Sequence, residues 1–305
     1  FMKKLLPLLL LLLLPKPVFG QESISITAIP PRLEVSGLPG ATLQETLKIR
    51  NESEEPMAFE AAFSDFIVNN NQGTPVAVTE AVSGRWSLSS WITVSPKKLL
   101  LQPKETQTVN LIIQIPPNGL PGGHYAMVTY QPSFEGLIGQ PKQTASAVIQ
   151  KVGTLVYLNV IGDVTEAANL KSFTADKFFK YYGPTKINAE IENLGDIHLQ
   201  PQGKLAVTNL LNQTVFSQDL DAKNIFPFAS RVYDFTVPGQ WHLGRYTAKI
   251  NAVIGTSQQP VQGLIYFWIV PVKEIALAAG ILVLIIILIF LLKRRRKPEY
   301  TSLNA

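Results

Sequence analysis

The sequence predicts an all-β protein with two tandem immunoglobulin-like or fibronectin III-like β-sandwiches, followed by one transmembrane α-helix. Hydrophobic residues alternate with polar ones over many short segments, which is typical of strands half-buried in antiparallel sheets. Turn-forming clusters such as Leu38-Pro39-Gly40 separate these segments, and residues 21–271 contain no convincing amphipathic helical pattern. One long apolar run without charges, from Ile275 to Leu292, follows them.

Residues 1–20 are predicted to be a secretory signal peptide. Met2-Lys3-Lys4 supplies a short basic region, and the leucine-rich segment from Leu5 to Leu14 supplies the apolar region. Val18-Phe19-Gly20 then resembles a cleavage site with small residues. The mature chain is therefore expected to begin near Gln21 and to lie outside the cytoplasm.

The first sandwich is predicted to occupy residues 21–163. Its clearest strands carry hydrophobic residues at alternate positions, namely Leu43, Leu47 and Ile49; Met57, Phe59, Ala61 and Phe63; and Val109, Leu111, Ile113 and Ile115. A last strand is predicted from Ala147 to Val152 and, past a bulge or bend at Gly153, on to Ile161. Gly162-Asp163 ends this strand, so the domain boundary is placed there.

The second sandwich is predicted to occupy residues 164–271. Its first stretch, Val164 to Asp176, is small, polar and less periodic, which supports the domain boundary placed before it. Alternating strands follow, with hydrophobic residues at Ile187, Ala189 and Ile191; Leu205 and Val207; Val232, Tyr233 and Phe235; Tyr246, Ala248 and Ile250; and Leu264 to Ile269. About seven strands in roughly 105 residues is the size of an immunoglobulin-like sandwich.

The two blocks share a weak internal repeat. Asn51 in the first block and Asn193 in the second each end an alternating strand and precede a turn. An asparagine at such a position can bond to its own backbone at a hairpin and tolerates a left-handed conformation. We therefore expect Asn51 and Asn193 to play the same structural role.

The apolar run is predicted to be a transmembrane helix over residues 272–292. Its 18 uncharged residues span about 27 Å as a helix, close to the thickness of a bilayer core. A buried core helix, the alternative, would have to tolerate five consecutive basic residues directly after the run. The anchor residues are the ends of the run and the basic cluster: Ile275, Leu292, Lys293, Arg294, Arg295, Arg296 and Lys297.

The basic cluster also predicts the orientation of the chain in the membrane. Positive residues favour the cytoplasmic side, so residues 293–305 are expected to be a cytoplasmic tail and residues 21–271 to be extracellular. A sortase substrate also carries an apolar run and a basic tail, but the Leu-Pro-x-Thr-Gly pattern it needs is absent before Ile275. The helix is therefore expected to remain a single-pass anchor in the cell membrane.

Charge and cysteine content exclude several classes of function. The net charge of +5 arises in the signal peptide and beside the membrane, because residues 21–271 carry 18 basic and 20 acidic side chains. A nucleic-acid partner is therefore not expected. The chain has no cysteine, so its stability must come from hydrophobic cores rather than disulfides.

The chain is not expected to be an enzyme. His124, His198 and His242 stand on separate segments without neighbouring residues at metal-ligand spacing. The sequence contains no phosphate-binding glycine loop and no nucleophile elbow. We therefore predict no catalytic residue, no metal and no cofactor.

Four residues are candidates for binding. Trp86 and Trp91 could each stack on a sugar, although a tryptophan plugs the core in many sandwiches. Trp91 begins the alternation Trp91, Thr93, Ser95, which favours a core position, while both interpretations of Trp86 stay open. His124 and Tyr125 follow Gly122-Gly123, where the backbone could approach a ligand chain or simply bend into a strand.

The layout resembles that of WxL-interacting proteins of Gram-positive cell surfaces. The matching features are the Leu38-Pro39-Gly40 turn, the segment from Trp91 to Pro103 and the Gly122-Gly123-His124-Tyr125 motif. The segments 47–56 and 94–116 also look like the N-terminal sandwich of pilus chaperones and major-sperm-protein relatives. The resemblance implies a peptidoglycan-binding sandwich, a fibronectin-like sandwich and a membrane anchor.

The resulting hypothesis is a membrane-anchored, non-catalytic surface protein that binds or scaffolds peptidoglycan, secreted surface proteins, or both. Two alternatives remain: a passive spacer, and a chaperone-like envelope assembly factor that uses strand pairing. Pilus-type chaperones are soluble periplasmic proteins, so the anchor argues against the second alternative.

Overall fold

The protein is described by a computed structural model that covers residues 26–68, 70–78, 84–133, 152–181, 183–239 and 243–295. It contains eighteen strands and a C-terminal helix within these ranges, so the predicted all-β fold with one helix is confirmed. The predicted signal peptide, the strand segment from Ala147 to Lys151, and Arg296 and Lys297 of the predicted tail lie outside the described residues.

The described chain forms two compact units. The first comprises residues 26–65, 78–120 and 124–160, and the second comprises residues 66–77, 121–123 and 161–295, apart from the gaps given above. The proposed boundary between residues 163 and 164, and the independence of the two sandwiches, stay predictions.

The first ten strands have the following bounds: β1 (Ile26–Ile29), β2 (Arg32–Gly37), β3 (Thr42–Asn51), β4 (Met57–Val68), β5 (Pro75–Val78), β6 (Ile92–Ser95), β7 (Lys98–Leu101), β8 (Thr106–Gln114), β9 (Gly122–Pro132) and β10 (Val152–Val160). One sheet has the order β1-β3-β8-β6, and the other has the order β2-β10-β9-β4-β5, with β7 also paired to β4. Alternate residues of these strands form a single core, which includes Leu47, Phe59, Leu111 and Leu158.

The first two strands lie in different sheets of the first sandwich. β1 pairs antiparallel with β3, and β2 pairs parallel with β10. Between them the Ile29-Pro30 peptide bond is cis. Because β1 ends at Ile29 and β2 begins at Arg32, the chain crosses from one sheet to the other at Pro30 and Pro31.

The remaining eight strands have the following bounds: β11 (Ala168–Ala175), β12 (Phe179–Lys180), β13 (Thr185–Asn193), β14 (Gln202–Thr208), β15 (Thr214–Asp219), β16 (Ser230–Val237), β17 (Gly244–Ile254) and β18 (Gln259–Ile269). One sheet has the order β11-β13-β16 and the other has the order β12-β18-β17-β14-β15. β11 lies within Val164 to Asp176, the stretch that the sequence analysis described as less periodic. Its residues pair with β13 across a bulge between Leu170 and Ser172, which disguises its periodicity.

Helix α1 (Val272–Arg295) follows β18 after only two residues. Its 24 residues span about 36 Å at 1.5 Å per residue, which is enough to cross a bilayer core. Of its most apolar 18-residue window, 0% is buried within the protein. A long apolar helix without protein around it argues against the core-helix alternative.

Candidate functional site

The four predicted binding residues make two direct contacts with one another in the first sandwich. A short 3₁₀ helix (Ser89–Trp91) precedes β6, and its Trp91 ring lies 4.5 Å from the His124 ring on β9, centroid to centroid. Tyr125 on β9 donates its backbone N–H to the carbonyl oxygen of Trp86 at 2.9 Å. The residues before the 3₁₀ helix therefore pack along the beginning of β9.

Trp91 is half-buried and packs against the core of the first sandwich. The predicted alternation that placed it there is wrong in phase, because Ile92 is buried whereas Thr93 and Ser95 are exposed. Trp91 belongs to the 3₁₀ helix and not to β6, so its position against the core does not follow from the alternation of residues along β6.

His124 is buried, with an exposed fraction of 1%. Its Nδ1 lies 3.0 Å from the carbonyl oxygen of Ser87, and its Nε2 lies 2.9 Å from the carbonyl oxygen of Leu120. A neutral imidazole donates from one nitrogen only, so the tautomer decides which carbonyl accepts the hydrogen bond. The Nδ1–H tautomer ties β9 to the segment before β6, whereas the Nε2–H tautomer ties β9 to Leu120, just before the strand begins.

The four candidate residues differ in the surface they offer to a ligand. Tyr125 is buried and makes an edge-to-face contact with Tyr157 at 5.7 Å. Trp86 is half-buried, and the Arg85 guanidinium lies 5.9 Å from the centre of its ring. Trp86 thus keeps more accessible surface than His124 or Tyr125, and ligand binding by any of the four stays a prediction.

Asp65 is a central residue of this region that the sequence analysis missed. Its Oδ1 accepts hydrogen bonds from the backbone N–H groups of Leu88 and Ser89 at 2.9 and 2.8 Å, and its Oδ2 accepts one from the Ser87 hydroxyl at 2.6 Å. The buried carboxylate therefore caps the N-terminus of the 3₁₀ helix from a distant strand. The available signal was an acidic residue that continues the inward alternation Phe59, Ala61, Phe63 on β4.

In the second sheet of this sandwich, the edge strand β2 pairs with only part of its neighbour β10. β2 pairs only with Leu155–Val160, whereas β10 begins at Val152. On that side, no strand within the described ranges pairs with β10 before Leu155. We call Val152 to Thr154 the leading edge of β10. Val152 and Gly153 are half-buried, whereas Thr154 is buried and its hydroxyl donates to the Pro30 carbonyl oxygen at 2.7 Å.

Gly153 lies within β10 and does not end the strand, and the bulge or bend expected there stays a prediction. A Cβ atom on Gly153 would lie 2.1 Å from the carbonyl oxygen of Val128 on β9. The glycine thus allows β10 to approach β9 closely at the leading edge.

The region contains no arrangement typical of a metal site. Among the residues that the structure describes, no group of three or more histidine, aspartate or glutamate side chains is positioned to hold a metal ion. The polar contacts described above join side chains of one segment to groups of neighbouring segments, and they therefore hold these segments together.

No family model and no curated protein matches the chain. Several solved structures are similar in fold. The class 5 fimbriae chaperone CfaA is 15% identical, with 81% of this chain and 100% of that chain covered and a TM-score of 0.41. The CupB2 chaperone of Pseudomonas aeruginosa is 9% identical, with 78% and 98% covered and a TM-score of 0.35. A Salmonella enterica complex of the SafA pilin with the SafB chaperone is 10% identical, with 82% and 98% covered and a TM-score of 0.37.

These comparisons correct the family prediction. The similar structures are fimbrial chaperones, and none of those reported above is a WxL-interacting protein. The assignment to the WxL-interacting family is therefore wrong, and so is the peptidoglycan-binding, adhesive function that it implied. At these low identities, the likeness concerns the fold of two tandem sandwiches alone.

Proposed function

We propose that this chain is a membrane-anchored envelope assembly factor that acts like a chaperone, pairing the leading edge of β10 with an extended segment of another surface protein. The observation that carries the proposal is the offset between β2 and β10. Because β2 begins to cover β10 only at Leu155, the start of β10 can accept a further strand on the same side. Open strand edges bind extended peptides by main-chain hydrogen bonds.

The direction of the backbone groups supports pairing at this edge. The Leu155 N–H donates to the Pro31 carbonyl oxygen at 2.9 Å, so it faces the side of β10 on which β2 lies. Backbone groups alternate in direction along a strand, so the N–H and C=O of Gly153 face that same side. A client strand that continued the line of β2 would therefore meet a donor and an acceptor at Gly153.

The neighbouring edge is less suited to pairing. On one face of the edge strand β2, Arg32 and Glu34 are exposed and form an ion pair at 3.1 Å. Charged side chains on an edge strand discourage the addition of another strand. Gly153 has no side chain to obstruct a client, so the leading edge of β10 is the better acceptor.

The membrane anchor is the second part of the proposal. Helix α1 is long and apolar enough to cross a membrane, and Lys293 with the basic residues after it would hold its C-terminus at the cytoplasmic side. The two sandwiches would then work outside the cytoplasm at the membrane surface. Protease added to intact protoplasts should digest both units, whereas a protected ectodomain would mean the opposite orientation.

Site-specific photocrosslinking in intact cells tests the strand-pairing proposal. One variant carries a photoreactive residue in place of Leu155, which is half-buried beside the leading edge. The matched control carries it at Leu100, which is exposed on the edge strand β7 of the same unit. We expect the Leu155 variant to capture an exported protein through an extended segment with alternating hydrophobic residues.

The control and a genetic readout separate this function from others. Deleting the gene should lower the amount of the captured protein at the cell surface, because an assembly factor stabilises its client. A passive spacer would instead give no adduct at Leu155, and a non-specific surface would give the same adducts at Leu155 and Leu100. Either result would contradict the proposal.

A further inference from the structure

We propose that the end of the second sandwich nearest α1 is a membrane-binding surface that rests on the lipid headgroups and upper acyl chains. We call this surface the membrane-facing rim and define it as Phe178, Phe179, Tyr181, Leu210, Leu211 and Leu243. The inference rests on the proposed anchoring by α1 and adds a second, peripheral contact with the bilayer. The partner is the bilayer itself rather than another protein.

Strand register places the rim at the level where the helix begins. Ile269, at the end of β18, pairs with Gly244, and α1 begins three residues later at Val272. Phe179 pairs with Trp268, so residues 178–181 lie within about two residues, roughly 7 Å, of the end of β18. Leu243 directly precedes Gly244 and lies at the same end.

The β14–β15 hairpin brings two leucines to this level. Thr208 pairs with Thr247, so the residues after Thr208 run beside those that lead back to Gly244. A Cβ atom on Gly244 would lie 4.0 Å from the side chain of Leu210, which confirms that the hairpin tip reaches the start of β17. Three separate segments therefore reach the end of the sheet at which α1 begins.

The rim is unusually apolar for a set of exposed loops. Phe179, Leu211 and Leu243 are 64%, 76% and 60% exposed, and Phe178 packs edge-to-face on Phe179 at 4.8 Å. Exposed hydrophobic side chains gathered in one place mark an interaction surface. The rim lies at the end of the sheet where the proposed membrane-spanning helix begins, so the bilayer surface would be next to it.

Contacts between the rim and the helix fix their relative position. The Tyr181 hydroxyl donates to the Glu274 carboxylate, with oxygen distances of 3.1 and 3.3 Å. The Lys273 ammonium lies 5.4 Å from the centre of the Tyr181 ring. Tyrosine and lysine are typical of membrane interfaces, where an apolar body and a polar tip are both accommodated. These contacts would hold the rim at the depth of the first turn of α1.

Depth-dependent fluorescence quenching tests the inference on the full-length chain. The chain has no cysteine, so single cysteines can be introduced and labelled with bimane without background. The rim variants are Phe179→Cys and Leu211→Cys, and the matched control is Leu264→Cys, an exposed leucine five residues before the end of β18. A fourth variant, Leu284→Cys, reports on the middle of α1.

Each variant is reconstituted in phosphatidylcholine vesicles that contain lipids with a doxyl quencher at a shallow or a deep position of the acyl chain. We expect the two rim labels to lose most of their fluorescence with the shallow quencher and the Leu284 label to lose it with the deep quencher. The Leu264 label should keep its fluorescence with both. The readout does not depend on which leaflet the rim faces.

The four labels distinguish failure of the rim from failure of the anchor. If Leu284 is quenched while Phe179 and Leu211 behave like Leu264, the helix spans the bilayer and the rim proposal is wrong. If Leu284 is not quenched, α1 does not span the bilayer and both proposals are wrong. All replaced rim residues are exposed, so near-ultraviolet circular dichroism should remain unchanged and confirm folding.

Discussion

Asn51 and Asn193 make the same set of hydrogen bonds in the two sandwiches. Each Oδ1 accepts the backbone N–H two residues later, from Ser53 at 3.0 Å and Gly195 at 2.8 Å. Each Nδ2 donates to the carbonyl oxygen four residues later and to a carbonyl on another segment of the same unit. The expected equivalence of Asn51 and Asn193 is confirmed at the level of their hydrogen bonds.

The turns that follow these residues differ from the expected hairpins. β3 ends at Asn51 in one sheet, and β4 begins in the other; β13 and β14 are related in the same way. Both asparagines are fully buried at a crossover between sheets. Their side chains therefore supply the hydrogen bonds that the backbone loses where it leaves a sheet.

Replacing either asparagine with alanine should destabilise its own unit. Asn51→Ala or Asn193→Ala would leave several buried backbone groups without partners, so we expect a loss of about 2–4 kcal/mol. Asn209→Ala is a matched control because Asn209 makes similar bonds in an exposed hairpin, and its loss should cost less than about 1 kcal/mol. Hydrogen exchange in denaturant assigns the effect to one unit. Equal effects of all three variants would contradict the interpretation.

Asp65 should be essential to the segment that carries the candidate binding residues. Asp65→Asn keeps the size but provides only one oxygen for the three donors, so we expect a loss of about 2–4 kcal/mol. Chemical denaturation measures this loss, and tryptophan fluorescence should report movement near Trp86 and Trp91. Glu60→Ala on the same strand removes only a surface ion pair to Lys97, which should change the stability by about 0–1 kcal/mol. A stable, spectroscopically unchanged Asp65→Asn variant would show that the cap is dispensable.

Tyr130 should lower stability at alkaline pH. Burial raises the pKa of its hydroxyl to about 12, and within the described residues this hydroxyl has no hydrogen-bond partner. A tyrosine in the unfolded chain ionises near pH 10. The contribution of neutral Tyr130 to the free energy of unfolding is therefore fully present below about pH 10 and is lost as the pH rises toward 12. Burial also raises the pKa values of Tyr233 and Tyr246, which contribute in the same direction.

Tyr130→Phe removes the group that ionises and keeps the ring. At pH 7 we expect the free energy of unfolding to stay unchanged or to rise by up to about 1 kcal/mol, since an unsatisfied buried hydroxyl is lost. Between pH 10 and 12 the variant should lose less stability than the parent protein. Denaturant unfolding measured across this pH range checks the prediction. A marked loss of stability at pH 7 would mean that the hydroxyl makes a bond in solution.

The interior strands could be predicted from the sequence, whereas several edge strands could not. β3, β8, β13 and β17 are covered on both sides by other strands, and each carries a regular alternation of buried residues. β2, β11 and β15 lie at edges, where one side of the strand faces solvent and polar residues are tolerated. Their weaker periodicity explains why they were missed.

The candidate site was only partly predictable for a related reason. Trp91 and His124 were singled out by residue type, but their contact depends on how the segment before β6 packs on β9. The leading edge of β10 depends on where β2 starts to pair, and a sequence pattern does not contain that register. The family resemblance depended on turns and layout, which many sandwich proteins share.

Residue-resolved hydrogen exchange of the full-length chain, with and without the client captured at Leu155, tests the central proposal most directly. Strand pairing at the leading edge of β10 should slow exchange of the Gly153 amide, which faces the open side, and leave the amides of β7 unchanged. The Leu155 amide, already bonded to Pro31, should show little further change. Unchanged exchange at Gly153 in the saturated complex, or new protection confined to β7 or to the second unit, would contradict strand pairing at this edge.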